Sequence, residues 1–158
     1  MVHCVHQIVG TTMDDQKRRL LWHGMFLFLL GLITGLVEPQ FHNIRMGLAA
    51  HLEGLMNGIL LLALGAIWSD VKLSPRPKSA AYWCGLFGTY GNWLVTTFAA
   101  IVGTAALTPI TAAGYSAQPW QEGFVKFGFA AIGLAIIGCS VLVLWGLRRN
   151  ASNAIGRN

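Results

Sequence analysis

Three side chains that can carry chemistry lie within one apolar stretch of the chain. His51, Glu53 and Asn57 bring an imidazole, a carboxyl group and a carboxamide into the run from Gly47 to Trp68. At 22 residues this run is long enough to cross a bilayer as a helix, which takes about 20 residues. A charged group at the centre of such a helix costs about 2.5–3.5 kcal/mol, so it usually faces a protein interior or a cavity. We therefore expect the chemistry of this protein in this segment.

The spacing of these residues predicts which of them lie together. At about 100° per residue, Glu53 and Asn57 lie about 40° apart on a helix, and His51 lies about 120° beyond Asn57. In a neighbouring apolar run, Asn92 lies about 15 Å from the membrane edge, as Asn57 does, and Thr96 lies about one turn further out. The residues predict a polar site between two helices. The alternative is a simple hydrogen bond between the two asparagines, worth about 1 kcal/mol.

His51 is either a hydrogen-bonding partner or a ligand. Covalently attached haem c is excluded because the chain has no Cys-x-x-Cys-His motif. The third and fourth apolar runs contain no histidine, and His23 lies roughly 20 Å away along the membrane normal. If His51 binds a haem iron, the opposite face of that iron is therefore open. An open face favours substrate binding over electron transfer.

The composition is that of a membrane protein. The chain has 158 residues, of which 54% are hydrophobic and 11% are charged, and a mean hydropathy of +0.56. Soluble domains carry about 25% charged residues. Four apolar runs occur: Leu20–Val37, Gly47–Trp68, Tyr82–Thr104 and Phe124–Leu147. We therefore predict an all-α integral membrane protein, with a four-transmembrane-helix bundle at 20–147, a polar cytoplasmic tail at 1–19 and a basic cytoplasmic tail at 148–158.

The basic residues predict the orientation in the membrane. On one side of the bundle lie 9 of the 11 Lys and Arg residues: Lys17, Arg18, Arg19, Lys72, Arg76, Lys78, Arg148, Arg149 and Arg157. Arg45 and Lys126 lie on the other side. Because basic residues collect on the cytoplasmic side, both termini are predicted to be cytoplasmic. This topology accounts for the net charge of +5 without a nucleic-acid partner.

The cysteines and the first residues give no further site. Cys84 and Cys139 lie inside apolar runs, and Cys4 lies in a predicted cytoplasmic tail, where thiols stay reduced. The tail sequence His3-Cys4-Val5-His6 contains metal-ligand types at a spacing that does not close a tetrahedral site. We expect no disulfide and no zinc site here.

Glycines recur at short intervals in the first and second apolar runs. Gly31–Gly35 and Gly54–Gly58 are small-xxx-small pairs, which allow close helix packing in lipid. The glycines of the second run would also leave room for a flat cofactor.

The outer loop Ala105–Pro119 has no charged residue, and a loop of this length often covers a site. Glu122 follows it as a second candidate acid.

Several sequence strings are similar to the hydroxylaminobenzene mutase family. They are Arg45-Met46-Gly47-Leu48, Ala50-His51-Leu52-Glu53-Gly54-Leu55-Met56-Asn57-Gly58, Tyr90-Gly91-Asn92-Trp93, Trp120-Gln121-Glu122 and Leu144-Trp145-Gly146-Leu147-Arg148-Arg149. The resemblance covers about residues 18–150. It implies a multi-pass enzyme of the bacterial inner membrane that converts hydroxylaminobenzene, a small aromatic hydroxylamine, to 2-aminophenol.

The second helix also resembles styrene oxide isomerase, another four-helix membrane isomerase. That family has an Ala-His pair followed by Asn-Gly, and here Ala50-His51 precedes Asn57-Gly58 with the Asn one residue later. The resemblance implies a homotrimer with ferric haem b between subunits. By it, His51 would be the axial ligand of the haem iron and Asn57 would contact substrate. Thr96 falls near the position of a tyrosine that the isomerase uses.

Together these residues suggest a mechanism and its alternatives. A ferric iron on His51 would act as a Lewis acid, while Glu53 or Glu122 moves a proton and Asn57 and Asn92 orient the substrate. One alternative is a metal-free mutase in which Glu53 and His51 act directly as acid and base. The others are a non-enzymatic haem-binding cytochrome subunit and a small transporter.

Overall fold

Four α-helices make up most of the described part of the protein. A computed structural model describes the backbone of residues 2–155 and the side chains of residues 15–148. Helices α1 (Val2–Val37), α2 (Ile44–Ile67), α3 (Pro75–Val102) and α4 (Pro119–Ile155) follow one another, with a short 3-10 turn at Glu38–Gln40 after α1. No strand occurs within residues 2–155, so the all-α prediction is confirmed there. Helical backbone extends into both predicted tails; the side chains of His3, Cys4, His6, Arg149 and Arg157 lie outside the described residues.

Three of the helices are long and apolar enough to cross a membrane. These segments are Asp15–Gln40, Ile44–Ile67 and Pro119–Arg148, with mean hydropathies of 2.0, 1.5 and 2.5. Helix α3 is not among them, although the sequence predicts a span at Tyr82–Thr104. The difference arises because α3 carries Thr89, Tyr90, Asn92, Thr96 and Thr97 in its second half. Large apolar side chains such as Leu36 and Phe127 point outward and are 80% and 76% exposed, as expected of a surface in lipid.

Helices α1 and α2 pack through glycines on both. A Cβ atom added to Gly31 would lie 2.7 Å from the backbone nitrogen of Leu55, and one added to Gly58 would lie 2.7 Å from that of Phe28. A Cβ on Gly54 would meet the Cα of Gly31. The interpretation as close-packing glycines is therefore confirmed. The expectation that Gly54 and Gly58 leave room for a flat cofactor is wrong, because the backbone of α1 fills that space.

A buried polar residue starts α2. Asn43 is fully buried, and its Oδ1 accepts the backbone N–H of Met46 at 3.1 Å, which caps the helix. Its Nδ2 donates to the carbonyl of Thr111 at 3.1 Å, and its backbone N–H donates to the carbonyl of Ala100 at 3.0 Å. Asn43 thus joins the first turn of α2 and the last turn of α3 to the loop at 105–119.

The connection between α2 and α3 is shorter than the gap between the second and third apolar runs. Pro75 and Pro77 lie in that gap and are expected to stop helix continuation, but α3 begins at Pro75. Proline is favoured in the first turn of a helix, where its missing N–H has no intrahelical partner. Lys78, one of the basic residues assigned to the cytoplasmic side, is buried, and its Nζ donates to the carbonyls of Trp68 (3.0 Å) and Val71 (2.9 Å). Its charge therefore satisfies carbonyls just beyond α2.

Candidate active site

A carboxylate between α2 and α3 joins two carboxamides. Oε2 of Glu53 accepts a hydrogen bond from Nδ2 of Asn57 at 3.0 Å and another from Nδ2 of Asn92. Asn57 lies one turn along α2 from Glu53, and Asn92 reaches the same oxygen from α3. We call these three residues the Glu53 cluster. The structure therefore brings together three residues that the sequence placed at similar depth on two helices.

The Glu53 cluster does not contain the direct hydrogen bond between Asn57 and Asn92 that was the alternative prediction. The two asparagines do not bond to one another, because both donate to the carboxylate. Asn57 is buried, while Glu53 and Asn92 are half-buried. A polar group inside a membrane protein needs such partners, since lipid offers none. The cluster thus places an acid and two amides at one level of the bundle.

His51 is held by α1 rather than by the Glu53 cluster. Its Nδ1 lies 2.8 Å from the carbonyl oxygen of Gly31, and its ring packs over Gly35. Because a carbonyl only accepts, Nδ1 carries the hydrogen and Nε2 carries the lone pair. In metal-binding histidines, the ring nitrogen that does not bind the metal typically donates a hydrogen bond of this kind, which fixes the tautomer. The half-buried imidazole is therefore suited to bind a metal ion through Nε2.

His51 and Glu53 face different neighbours. Two residues apart, they lie about 160° from one another around α2. His51 contacts α1, and Glu53 bonds to α3. Across the described side chains, no group of three or more His, Cys, Asp and Glu residues could hold a metal ion together. A metal at His51 would thus arrive within a larger group that supplies its other ligands, as a porphyrin does.

Of the other two predicted site residues, Thr96 lies on α3 and Glu122 lies apart. Thr96 is 4% exposed and lies one turn beyond Asn92. The carboxylate of Glu122 accepts the backbone N–H groups of Ala105 (2.9 Å), Ala106 (2.7 Å) and Ala117 (3.0 Å). Glu122 therefore binds the two ends of the outer loop, and the structure does not bring it to the Glu53 cluster.

Two polar contacts between α1 and α3 were not foreseen from the sequence. Nε1 of Trp93 donates to Oγ1 of Thr34 at 3.0 Å, and Nδ1 of His23 lies 3.0 Å from the hydroxyl of Tyr90. The available signal was that Tyr90 and Trp93 flank Asn92 in one short string. His23 is thereby engaged with α3, whereas His51 is engaged with α1.

The outer loop packs on the ends of α2 and α3. The rings of His42 and Tyr115 meet edge to face with centroids 5.3 Å apart, and the guanidinium of Arg45 lies 5.9 Å from the Tyr115 ring centroid. Leu107 has a positive φ of 61°, beside the Ala106 N–H group that Glu122 binds. The loop is thus fixed by several contacts rather than by one.

The sequence is similar to membrane isomerases over most of its length. The family model described as styrene oxide isomerase matches residues 16–148. Hydroxylaminobenzene mutase HabB of Ectopseudomonas oleovorans is 43% identical over 132 residues, which cover 83% of this chain and 80% of that protein. Hydroxylaminobenzene mutase HabA of the same organism is 39% identical over 127 residues, which cover 80% of this chain and 94% of that protein. No solved structure matches the chain.

Proposed function

Because the chain belongs to the styrene oxide isomerase family and is an isomerase, we propose that it converts hydroxylaminobenzene to 2-aminophenol. The observation that carries this proposal is the 43% identity to a protein named for that substrate, over 83% of this chain. Since the chain is an isomerase, we set aside the alternatives of a non-enzymatic cytochrome subunit and a small transporter.

The proposed reaction is redox-neutral overall. The N–O bond of the substrate breaks, a C–O bond forms at the neighbouring ring carbon, that carbon loses a proton and the nitrogen gains one. The protein must therefore orient the N–OH group, move a proton and keep bulk water from the electron-poor ring. We assign orientation to Asn57 and Asn92, and proton transfer to Oε1 of Glu53, the oxygen that neither amide occupies.

Glu53 is a better candidate for proton transfer than Glu122. Glu53 lies among the amides that would contact substrate, whereas the carboxylate of Glu122 is fully used by backbone N–H groups of the outer loop. Thr96, buried one turn from Asn92, would border the same space on α3. The metal-free alternative would use Glu53 and His51 directly as acid and base, and the two side chains face different helices there as they do in the haem-dependent proposal.

We further propose haem b as the cofactor, with His51 as its axial ligand. The support is the hydrogen bond from Nδ1 to Gly31, which leaves Nε2 free for iron. When bound, a ferric haem would supply a Lewis acid for the hydroxylamine oxygen. The contribution of the chain is to fix the imidazole through Gly31 of α1 and to hold the substrate amides on a different face of α2, toward α3.

The membrane arrangement that we propose has four spans, cytoplasmic termini and a bacterial inner-membrane location. Helix α3 would complete the bundle because its polar side chains bond to α1 and α2: Tyr90 with His23, Asn92 with Glu53 and Trp93 with Thr34. The orientation rests on the distribution of basic residues. The proposed homotrimer rests on the family resemblance.

Turnover by the purified protein tests the proposed function. Protein reconstituted in vesicles should form 2-aminophenol from hydroxylaminobenzene without NAD(P)H, oxygen or another cosubstrate. In ¹⁸O-labelled water the product should carry mostly unlabelled oxygen if the substrate hydroxyl returns within a closed site. Asn57→Ala should lower kcat by about 10²-fold, since loss of orientation on the order of 1 Å has that effect. Absence of turnover by well-folded protein would overturn the proposal.

A further inference from the structure

We infer that Oε2 of Glu53 is a positioning group, which turns the carboxamide oxygens of Asn57 and Asn92 toward the substrate and so selects aromatic substrates bearing N–H and O–H donors. The inference rests on the proposed function and concerns the specificity of the same site. It assigns to one carboxylate a second role, distinct from proton transfer at Oε1.

The chemistry of the carboxylate fixes the orientation of both amides. An ionised carboxylate only accepts hydrogen bonds, and only the nitrogen of a carboxamide donates. Since both amides bond to Oε2, each must present Nδ2 to it and direct Oδ1 elsewhere. A proton on Oε1 would leave this arrangement intact, because Oε2 still accepts. Both asparagines are therefore held in one amide orientation throughout a cycle of proton transfer.

The two amide oxygens remain available to a ligand. Among the described residues, the fully buried side-chain atoms without a hydrogen bond are Glu38 Oε2 and Thr104 Oγ1. The Oδ1 atoms of Asn57 and Asn92 accept no hydrogen bond within that part of the chain, and neither is completely buried. The Glu53 cluster thus offers a ligand that reaches it two acceptors, one from α2 and one from α3.

Two acceptors specify the substrate class. Hydroxylaminobenzene carries an N–H and an O–H donor on adjacent atoms, and 2-aminophenol carries the same two donor types on adjacent ring carbons. Each of these two molecules can therefore donate one hydrogen bond to each of the two amide oxygens. An epoxide has an oxygen acceptor and no such donor, so it would leave both amide oxygens unpaired on binding. A site built to bond such donors discriminates strongly against a ligand that lacks them.

Two substitutions separate positioning from proton transfer. In Glu53→Gln the carboxamide oxygen can accept from both asparagines as Oε2 does, while proton transfer is lost. In Glu53→Met the side chain keeps its approximate length but can neither accept these bonds nor transfer a proton. The conservative variant should therefore rescue positioning alone, which a purely catalytic acid would not permit.

The measurement is direct binding of two matched ligands by calorimetry in detergent. The ligands are 2-aminophenol and o-xylene, in which methyl groups replace the two donors. Wild-type protein should prefer 2-aminophenol. Glu53→Met should lower the ratio of the two affinities by about tenfold or more, and Glu53→Gln should leave it within about threefold, although both lose most turnover.

The outcomes distinguish this inference from the proposed function. An unchanged affinity ratio in Glu53→Met, or an equal loss in Glu53→Gln and Glu53→Met, would overturn the positioning role. If Glu53→Met does not fold, Glu53→Ala gives the same test, because it also removes the acceptor, keeps both asparagines and should lower the ratio by about tenfold. Binding is measured without turnover, so the failure of wild-type protein to convert hydroxylaminobenzene would overturn the proposed function separately.

Discussion

The imidazole of His51 lies so close to Gly35 of α1 that a Cβ atom there would stand 2.5 Å from Nδ1. The hydrogen bond from Nδ1 to the carbonyl of Gly31, one turn earlier, depends on that approach. The two glycines of α1 thus have separate roles: Gly31 supplies the acceptor, and Gly35 supplies the space for the ring.

Replacing Gly35 should therefore reduce haem binding although the proposed axial ligand, His51, is unchanged. Gly35→Ala should displace the imidazole and weaken haem affinity by about tenfold or more, as the loss of an outer-shell partner does in metal sites. His51→Ala should lose the haem altogether. The haem content and absorption spectrum of the purified variants provide the measurement.

His23→Phe is the matched control, because His23 is engaged with Tyr90 on α3. It should retain haem at the wild-type level. Wild-type protein that turns over substrate and contains no iron would refute the haem assignment and leave the mutase assignment standing. Equal haem content in Gly35→Ala and the wild type would show that Gly35 does not contribute to haem binding.

Gly54→Ala should destabilise the α1–α2 pair. A methyl group there meets the Cα of Gly31, and backbone cannot move aside as a flexible side chain can. Overpacking of this kind costs about 1–3 kcal/mol, so the melting temperature in detergent should fall by several degrees. Gly138→Ala on α4 is the control, because no atom lies within 4 Å of its added Cβ. Similar melting temperatures for the two variants would contradict the tight packing.

Glu122→Gln should loosen the outer loop. The carboxylate accepts bonds from both ends of the loop, whereas a glutamine would direct its own N–H groups at some of these donors. Hydrogen exchange at Ala105, Ala106 and Ala117 should quicken by about tenfold, the effect of losing about 1.4 kcal/mol of protection. Lys126→Gln, an exposed position, should leave exchange unchanged.

The same variant also compares the two candidate acids. Glu53→Gln should lower kcat more than Glu122→Gln does, because Glu53 lies in the cluster and Glu122 serves the loop. The reverse order in steady-state kinetics would transfer the proton role to Glu122.

Reporter fusions should test the orientation. Fusions at Asn158 and within 69–79 should report the cytoplasm, and one within 105–119 should report the outer side, because 9 of the 11 basic residues lie on the predicted inner side. A periplasmic signal from Asn158 would reverse the topology, and with it the depths assigned to Asn57 and Asn92.

Helical periodicity predicted the Glu53 cluster well, because it depends on spacing along one helix. The one-turn separation of Glu53 and Asn57 follows from the sequence, and matched depth placed Asn92 on the same level. The exact bonding could not be predicted, since which amide atom meets which carboxylate oxygen depends on how α3 is rotated against α2. That rotation is a property of packing between helices.

Contacts made by backbone atoms were the hardest to predict. The carbonyl of Gly31 that holds His51 has no side chain to reveal it, and the glycine spacing indicated only close packing. Lys78 illustrates the same limit, because its charge assigned it only to one side of the membrane, whereas its Nζ binds two backbone carbonyls. Sequence patterns identify polar groups, but the tertiary fold determines their partners.

The polar character of α3 has a consequence for how the protein is made. A membrane-spanning helix that carries several polar side chains must have those polar groups met by protein. The partners of Tyr90, Asn92 and Trp93 all belong to α1 and α2, which leave the ribosome earlier. The bundle should therefore assemble in the order of synthesis, with the paired first helices acting as a template that receives the third. The hydrogen bond from Asn92 to Glu53 in the candidate site would thus also help to bring α3 into the membrane.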